Sequence, residues 1–195
     1  MAFAVTALHE HCNGTSIQTQ IDLSEEFLYF RCKQRDGLPV SGGTKLTAAS
    51  DALRLDGQCR EELHPYQRIG KLLAVPSVAA VQDAKTRIWG LMKPIDLSLE
   101  LVKQYVGQEI PVVAAIEIFR TAWCAGPDGL VDIPSLGERA VGTHAVLIIE
   151  VEQKGTEEQV VFLNSWGTGW GSSGIGKFSA TYFQRHCEHL WTAVK

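Results

Sequence analysis

The residues best suited to chemistry lie in two segments near the C-terminal end of the chain. Gly142–Val146 (GTHAV) leads into an apolar run, and Asn164 follows His144 by twenty residues within Leu163–Gly171 (LNSWGTGWG). Both segments border β-rich stretches, which predicts that His144 and Asn164 lie on neighbouring strands. A histidine that is oriented by an asparagine can act as general base and general acid for a nucleophile.

Two tryptophans accompany the asparagine. Trp166 and Trp170 follow Asn164 within the same segment. Simple core packing of the aromatic rings explains the same residues. His144 could likewise be an ordinary core histidine, and Asn164 could bond the backbone of a turn. The spacing of the two segments favours the catalytic interpretation.

The first predicted helix of the chain has no N-cap residue. Ala2–Cys12 is a predicted helix in which Ala4, Leu8 and Cys12 share one apolar face. No Ser, Thr, Asp or Asn precedes it, so no side chain satisfies its first N–H groups. We therefore expect a central buried helix whose front lies upstream of Met1. A chain that truly begins at Met1 is the alternative.

Composition indicates a globular protein and argues against two classes of partner. Apolar residues make up 45% of the 195-residue chain and charged residues 21%, which is ordinary for a soluble domain. A net charge of -4 without a basic block argues against nucleic acid and anionic membranes. The apolar runs are far shorter than the ~20 residues of a membrane span. No metal or cofactor is expected.

Cysteine usage bears on the compartment. The five cysteines, which include no Cys-x-x-Cys pair, are Cys12, Cys32, Cys59, Cys124 and Cys187. A structural zinc site is therefore not expected, and reduced, mostly buried thiols in the cytoplasm are favoured. No signal peptide is visible in the first residues. Export with one or two disulfides stays open.

The predicted elements change character along the chain. Helices dominate the first third and strands the remainder, which indicates an α+β protein of two lobes, divided near residue 70. Helices are predicted at Ala2–Cys12, Glu25–Lys33, Leu46–Leu55 and Leu97–Val106. Strands are predicted at Pro111–Ile116, Ala145–Val151, Val160–Asn164 and Gly176–Ser179.

Over nearly its whole length the chain resembles the papain-like cysteine peptidases. The matching segments, in the order of that family, are Ala2–Ala4, Leu23–Cys32, Gly42–Gly43, His64–Tyr66, Pro111–Val112, Gly142–Val146 and Asn164–Gly167. The last of these is the most specific. The resemblance implies a single peptidase domain over 1–195, with a helical lobe at about 1–70 and an antiparallel β-barrel-like lobe at about 71–195.

The resemblance also implies a role for each site residue. His144 would pair with a cysteine thiolate at the start of the first helix, and Asn164 would orient the imidazole. Trp166 and Trp170 would shield the His144–Asn164 bond from water. That cysteine is expected immediately before Met1, with a glutamine further upstream as oxyanion donor. The substrate is a peptide or protein, and a pro-segment or extra domains can precede the chain. The alternative is a papain-like module that binds peptides without cutting them.

Substrate contacts are implied on both sides of the site. In relatives, an extended peptide pairs with the paired glycines, here Gly42 and Gly43. The pocket for the second residue before the scissile bond would involve Thr44, Thr143 and Ala145. The resemblance also places a disulfide cysteine at the position of Cys32, but no partner follows the His64–Tyr66 turn before Cys124. The remaining five histidines are expected at the surface or at interfaces, and they are His9, His11, His64, His186 and His189.

Overall fold

The computed structural model describes residues 1–14, 21–40, 42–67, 73–124 and 126–194, and these form two compact units. The first unit runs from Met1 to Lys93 and includes the chain end from Val194, and the second runs from Pro94 to Ala193. The second unit thus begins later than the boundary expected near residue 70. The reason is a helix, Val78–Ala84, whose Ala80 and Ala84 are buried against Phe27 and Cys59 of the first unit.

The first unit is helical, and its helices begin and end close to where the sequence predicts. The helices are α1 (Ala2–Asn13), α2 (Glu25–Lys33), α3 (Leu46–Leu55) and α4 (Val78–Ala84). Short 3-10 helices lie at Glu61–Leu63 and Lys85–Arg87. The Ser24 hydroxyl caps α2 by accepting a hydrogen bond from the Phe27 N–H at 3.0 Å. Met1 stands at the N-cap of α1 and provides no side-chain cap.

A polar network lies in the interior of this unit. Gln58 is fully buried, and its side-chain nitrogen donates to the Thr6 hydroxyl at 2.6 Å and to the Ser24 carbonyl at 3.0 Å. Its side-chain oxygen lies 2.9 Å from Nδ1 of His9, which is also fully buried. The expectation that His9 and His64 lie at the surface is therefore wrong, since His64 is only 6% exposed. The Gln58 side chain bonds both α1 and the N-cap of α2, and this network holds His9 in the interior.

The second unit is built on an open sheet. The strands are β1 (Met92–Ile95), β2 (Val112–Ile118), β3 (Leu130–Val131), β4 (Gly142–Lys154), β5 (Glu157–Leu163), β6 (Ile175–Ser179) and β7 (Cys187–Ala193). Their order is β1-β7-β2-β4-β5-β6-β3. Two helices, α5 (Leu99–Val106) and α6 (Ala180–His186), accompany them. The sheet does not close into the barrel-like lobe that was expected, because its edge strands β1 and β3 are short and end it on both sides.

The register of the central strands determines where the site residues lie. β4 pairs antiparallel with β5, and Leu147 faces Leu163 at the last pair. Because the strands are antiparallel, the beginning of β4 and the end of β5 meet at the same edge. His144 is the third residue of β4, and Asn164 directly follows the last residue of β5. This arrangement brings together the two residues that are twenty positions apart in sequence.

A single large core holds these strands. Buried residues of β2, β4 and β5, among them Ile116, Val146 and Phe162, pack in one cluster with Tyr182 of α6. β2 is the most deeply buried strand, since β4 and β7 pair with it on either side. None of the described helices is long and apolar enough to cross a membrane.

Candidate active site

The centre of the candidate site is a hydrogen-bonded histidine and asparagine. Nε2 of His144 lies 2.9 Å from Oδ1 of Asn164. The same oxygen accepts the backbone N–H of Ser165 at 2.8 Å, and the Asn164 N–H donates to the Gly174 carbonyl at 2.8 Å. An amide oxygen carries no proton and can only accept, so the imidazole nitrogen that faces it must donate. Neutral His144 therefore carries its proton on Nε2, and Nδ1 has the lone pair that can accept a proton.

Burial strongly affects the protonation of this histidine. Removal of the ring from water lowers the pKa of His144 from 6.5 to about 4, and the hydrogen bond to Asn164 opposes this change. The imidazole is thus neutral at pH 7 and can act as a base. A negative charge placed against Nδ1 would raise this pKa, because it stabilises the imidazolium.

Three tryptophans surround the pair. The Trp166 ring lies 5.0 Å from the imidazole of His144 at an interplanar angle of 38°. Trp123 contacts the same imidazole edge-to-face at 5.8 Å and 85°. Trp170 lies behind these rings, 5.6 Å from Trp166 and 6.0 Å from Trp123. Of the two tryptophans predicted to shield the site, Trp166 contacts the histidine directly and Trp170 supports the contacting rings.

Trp123 is the residue that sequence reasoning missed. It lies in an irregular segment after β2, where neither periodicity nor a turn signal points to the site. Only the packing of the sheet brings it against His144. The one available signal was its aromatic type next to the buried Ala122.

The residues predicted to contact substrate lie in both units. In the first unit Gly42 and Gly43 are exposed, and the Gly42 carbonyl accepts a bond from the Tyr29 hydroxyl at 2.6 Å. The Gly42 N–H donates to the Pro39 carbonyl at 3.0 Å. Both backbone groups of Gly42 are thus engaged within the unit, and the Gly43 carbonyl accepts from Nζ of Lys33 at 2.8 Å, so the Gly43 N–H is the group better placed to pair with an added strand.

The other predicted contacts differ in exposure. Thr44 in the first unit is 8% exposed, and Ala145 in the second is 6% exposed. Their side chains therefore offer little surface to a ligand. Thr143 is exposed, and its hydroxyl donates to the Glu188 carboxylate at 2.9 Å.

Three of the five cysteines lack the environment of an activated thiol. Burial raises the pKa of the Cys32, Cys59 and Cys187 thiols to about 12, so they stay protonated at neutral pH. Cys32 is a free thiol, and the disulfide that the resemblance suggested for it is not formed. Cys124 is exposed, and its Sγ contacts the Arg120 carbonyl at 3.2 Å. Within the described ranges no three acidic, histidine or cysteine side chains are grouped to hold a metal ion.

Solved structures share this fold. Xylellain, a cysteine protease from Xylella fastidiosa, matches with a TM-score of 0.85 and 18% identity over 100% of this chain and 79% of its own. Digestive procathepsin L 3 from the larval midgut of Tenebrio molitor matches with a TM-score of 0.77 and 20% identity, over 99% of this chain and 62% of its own. A Carica candamarcensis cysteine protease, CMS1MS2, solved with E-64, gives 0.72 and 20% identity, with coverage of 100% and 87%. The fold is thus that of papain-like cysteine proteases.

The sequence gives the family directly. The pattern of the papain family of cysteine proteases matches residues 1–191. The chain therefore belongs to the papain family. A comparison with curated proteins finds no match. The chain spans about three fifths of the procathepsin, at 62% of its length.

Proposed function

We propose that this chain is the peptidase domain of a cysteine-type endopeptidase whose nucleophilic cysteine lies immediately upstream of Met1. The observation that carries the proposal is the 2.9 Å bond between His144 Nε2 and Asn164 Oδ1, which leaves Nδ1 as the proton acceptor. Membership of the papain family supports the reaction class. The chain as given is then inert toward peptides.

The proposed reaction is acyl transfer through a thioester. The thiol gives its proton to Nδ1 of His144, and the thiolate attacks the scissile carbonyl of the peptide. The imidazolium then protonates the leaving amine as that C–N bond breaks. Water, deprotonated by the neutral imidazole, cleaves the thioester and releases the acid product.

Neighbouring groups hold this chemistry in place. Asn164 keeps the imidazole oriented and stabilises its charged form. The free N–H groups at the N-terminus of α1, where no side chain caps the helix, would favour a thiolate that precedes Met1. The nucleophile's N–H and an upstream glutamine would bind the oxyanion. Trp166, with Trp170 behind it, would keep water from the His144–Asn164 bond.

Substrate binding follows from the residues that stay accessible. Gly43 would pair with the extended peptide backbone, next to Gly42. Thr143 would contribute a polar side chain, while Thr44 and Ala145 would contribute mainly backbone. One structural neighbour is a procathepsin, which supports a pro-segment ahead of this domain as part of the proposal.

A non-catalytic peptide-binding module is the second candidate. This candidate requires that the residue before Met1 is not cysteine; burial raises the pKa of Cys32, Cys59 and Cys187, so these three thiols would not supply a nucleophile in its place. Such a module would bind peptides along Gly42 and Gly43 without cleavage. Peptide affinity would then be nearly the same in the wild-type chain and in His144→Ala.

The decisive experiment begins with the protein from its natural source. Its intact mass and N-terminal peptide map show which residue precedes Met1. The extended protein is then assayed with a fluorogenic peptide library, beside a variant in which the upstream cysteine is serine. Cys124→Ser is the matched control, because Cys124 is the exposed thiol next to Trp123.

Each outcome has a definite meaning. Cleavage that is lost with the upstream cysteine and retained in Cys124→Ser supports the peptidase proposal. Loss in Cys124→Ser alone would assign the nucleophile to a different thiol and overturn the proposal. A folded extended protein that binds peptides but never cleaves them supports the binding module instead.

A further inference from the structure

Trp123 fills part of the core and also packs directly against the candidate base, His144. It is 5% exposed, and its ring contacts His144, Trp166 and Trp170. Trp166 covers the imidazole as well but is 44% exposed. The buried ring is therefore the one whose orientation is fixed by the protein interior.

A chain of hydrogen bonds sets that orientation. The indole N–H of Trp123 donates to the Tyr182 hydroxyl at 2.8 Å. That hydroxyl donates in turn to the Glu117 carbonyl at 2.8 Å. Tyr182 is fully buried on α6, and Glu117 lies on β2. The indole is thus connected to a helix and to the strand that pairs with β4.

The hydroxyl in the middle of the chain stays neutral. Burial raises the pKa of Tyr182 to about 12, so the group keeps its proton and can accept from Trp123 while donating to Glu117. The backbone of Trp123 is held too. Its N–H donates to the Phe119 carbonyl at 3.1 Å, and its carbonyl accepts the Trp170 indole N–H at 3.3 Å.

His144 needs such support because its own hydrogen bonding is sparse. The bond to Asn164 fixes one point of the imidazole, while the histidine χ2 torsion is broad and soft. A ring with one fixed point can still tilt about it. The edge-to-face contact with Trp123 at 85° blocks that tilt on the buried side.

We propose that Trp123 is a positioning residue for His144: its indole, held by Tyr182, keeps the imidazole in the plane in which Nε2 donates to Asn164. The inference rests on the proposed function only for the role of the oriented imidazole as a catalytic base. The orientation itself is a property of the second unit and can be measured on the chain as it stands.

The test is NMR titration of histidine-labelled protein, with the His144 pKa and the fraction of the Nε2–H tautomer as readouts. The variants are Trp123→Phe, which removes the indole N–H, and Tyr182→Phe, which removes one oxygen and preserves the core volume. We expect each to raise the His144 pKa by about 0.5 to 1 pH unit and to lower the Nε2–H fraction. The cause is a looser indole that admits water to the imidazole.

Matched controls separate positioning from general destabilisation. Trp89→Phe removes an indole that stacks on another buried histidine, His9, at 5.0 Å. Tyr105→Phe alters a tyrosine that packs against the same core as Trp123. Neither control should move the His144 readouts, although both should lower the unfolding temperature.

The double variant tests the link between the two residues. If the Tyr182 hydroxyl acts through the indole, Tyr182→Phe adds almost nothing in the Trp123→Phe background. Additive shifts would overturn that link. Unchanged His144 readouts in both single variants, with lowered stability, would show that Trp123 is only a packing residue. None of these readouts needs a nucleophile, so failure of the peptidase proposal is detected separately by the cleavage assay.

Discussion

The two units each contain a buried histidine that is bonded to a side-chain amide, and the pairs are chemically alike. In the first unit His9 Nδ1 lies 2.9 Å from Gln58 Oε1, and in the second His144 Nε2 lies 2.9 Å from Asn164 Oδ1. A tryptophan ring lies 5.0 Å from each imidazole, Trp89 in the first pair and Trp166 in the second. Burial lowers the pKa of both histidines to about 4.

The pairs differ in what surrounds them. His9 is fully buried, and Gln58 uses its nitrogen for two further bonds that connect α1 to the N-cap of α2. His144 is half-buried at the beginning of a strand, and its covering Trp166 is 44% exposed. A lowered pKa and an amide partner therefore do not by themselves identify an active site. Partial exposure is what distinguishes His144 from His9, and a reacting group needs such exposure to reach the second ring nitrogen.

The largest expected effect comes from removing the base in the second unit. In the extended protein with its upstream cysteine, His144→Ala should lower kcat/KM by about 10²- to 10⁴-fold, because proton transfer is lost. Steady-state cleavage of a fluorogenic peptide measures this. His9→Ala is the counterpart, and among the folded molecules it should leave kcat/KM nearly unchanged. An equal loss of activity in both variants would contradict the distinction between the pairs.

The next effect concerns stability, and it should be larger in the first unit than in the second. Gln58→Ala should lower the free energy of unfolding by about 2 to 4 kcal/mol, because it orphans groups on Thr6, His9 and Ser24 in the interior. Asn164→Ala should lower it by about 1 to 2 kcal/mol, because it removes the acceptor of the His144 Nε2–H and the Ser165 N–H at a partly buried position. Urea unfolding of the chain gives both values. Similar losses in the two variants would mean that the amides have equivalent structural roles.

The pH dependence of stability should also separate the units. Both histidines have a folded pKa of about 4 against an ordinary 6.5, so their stabilisation is complete above pH 6.5 and is lost as the pH falls to 4. In the first unit, burial and the neighbouring carboxylates raise the pKa of Glu10 to about 7 from 4.5. Its stabilisation is present below pH 4.5 and is lost as the pH rises to 7. The two effects in the first unit oppose each other.

Glu10→Gln should remove one of these opposing effects. The amide oxygen can still accept the Leu23 N–H that Glu10 accepts at 2.8 Å. We expect a gain of about 1 kcal/mol at pH 7.5, discounted for partial exposure, and none at pH 4.5. Unfolding free energies across this range test the sign. A gain at pH 4.5 and none at pH 7.5 would reverse the assignment.

The smallest expected effect compares the two covering rings. Trp166→Phe should change the unfolding free energy by about 0.5 kcal/mol or less, because Trp166 is 44% exposed. Trp89→Phe should lower it by about 1 to 2 kcal/mol, since Trp89 is 7% exposed. Thermal melts followed by circular dichroism resolve the difference. Equal losses would show that Trp166 packs as firmly as a core residue.

Local signals predicted much of the fold. The sequence places α1, α2 and α3 within a residue or so of their observed ends. The apolar runs around the hairpin predict β4 and β5. These successes share a cause, since capping, helical periodicity and hairpin turns act over a few residues.

Elements that depend on distant partners escaped prediction. Helix α4 has a weak pattern of its own and packs through Ala80 and Ala84. Neither α6 nor β7 was predicted, because β7 forms by pairing with β2, which lies far earlier in the chain. The open sheet, in place of the expected barrel-like lobe, likewise follows from how short β1 and β3 are.

The sequence by itself determined the family, a helical beginning followed by a strand-rich remainder, and the pairing of His144 with Asn164, because the segments that carry them have strong local patterns. The burial of His9 and the approach of Trp123 to His144 were decided by tertiary structure alone. Trp123 and Tyr182 are 59 positions apart, and only the packed sheet joins their side chains. Contacts of that range depend on the simultaneous packing of several elements, and no local sequence pattern records them.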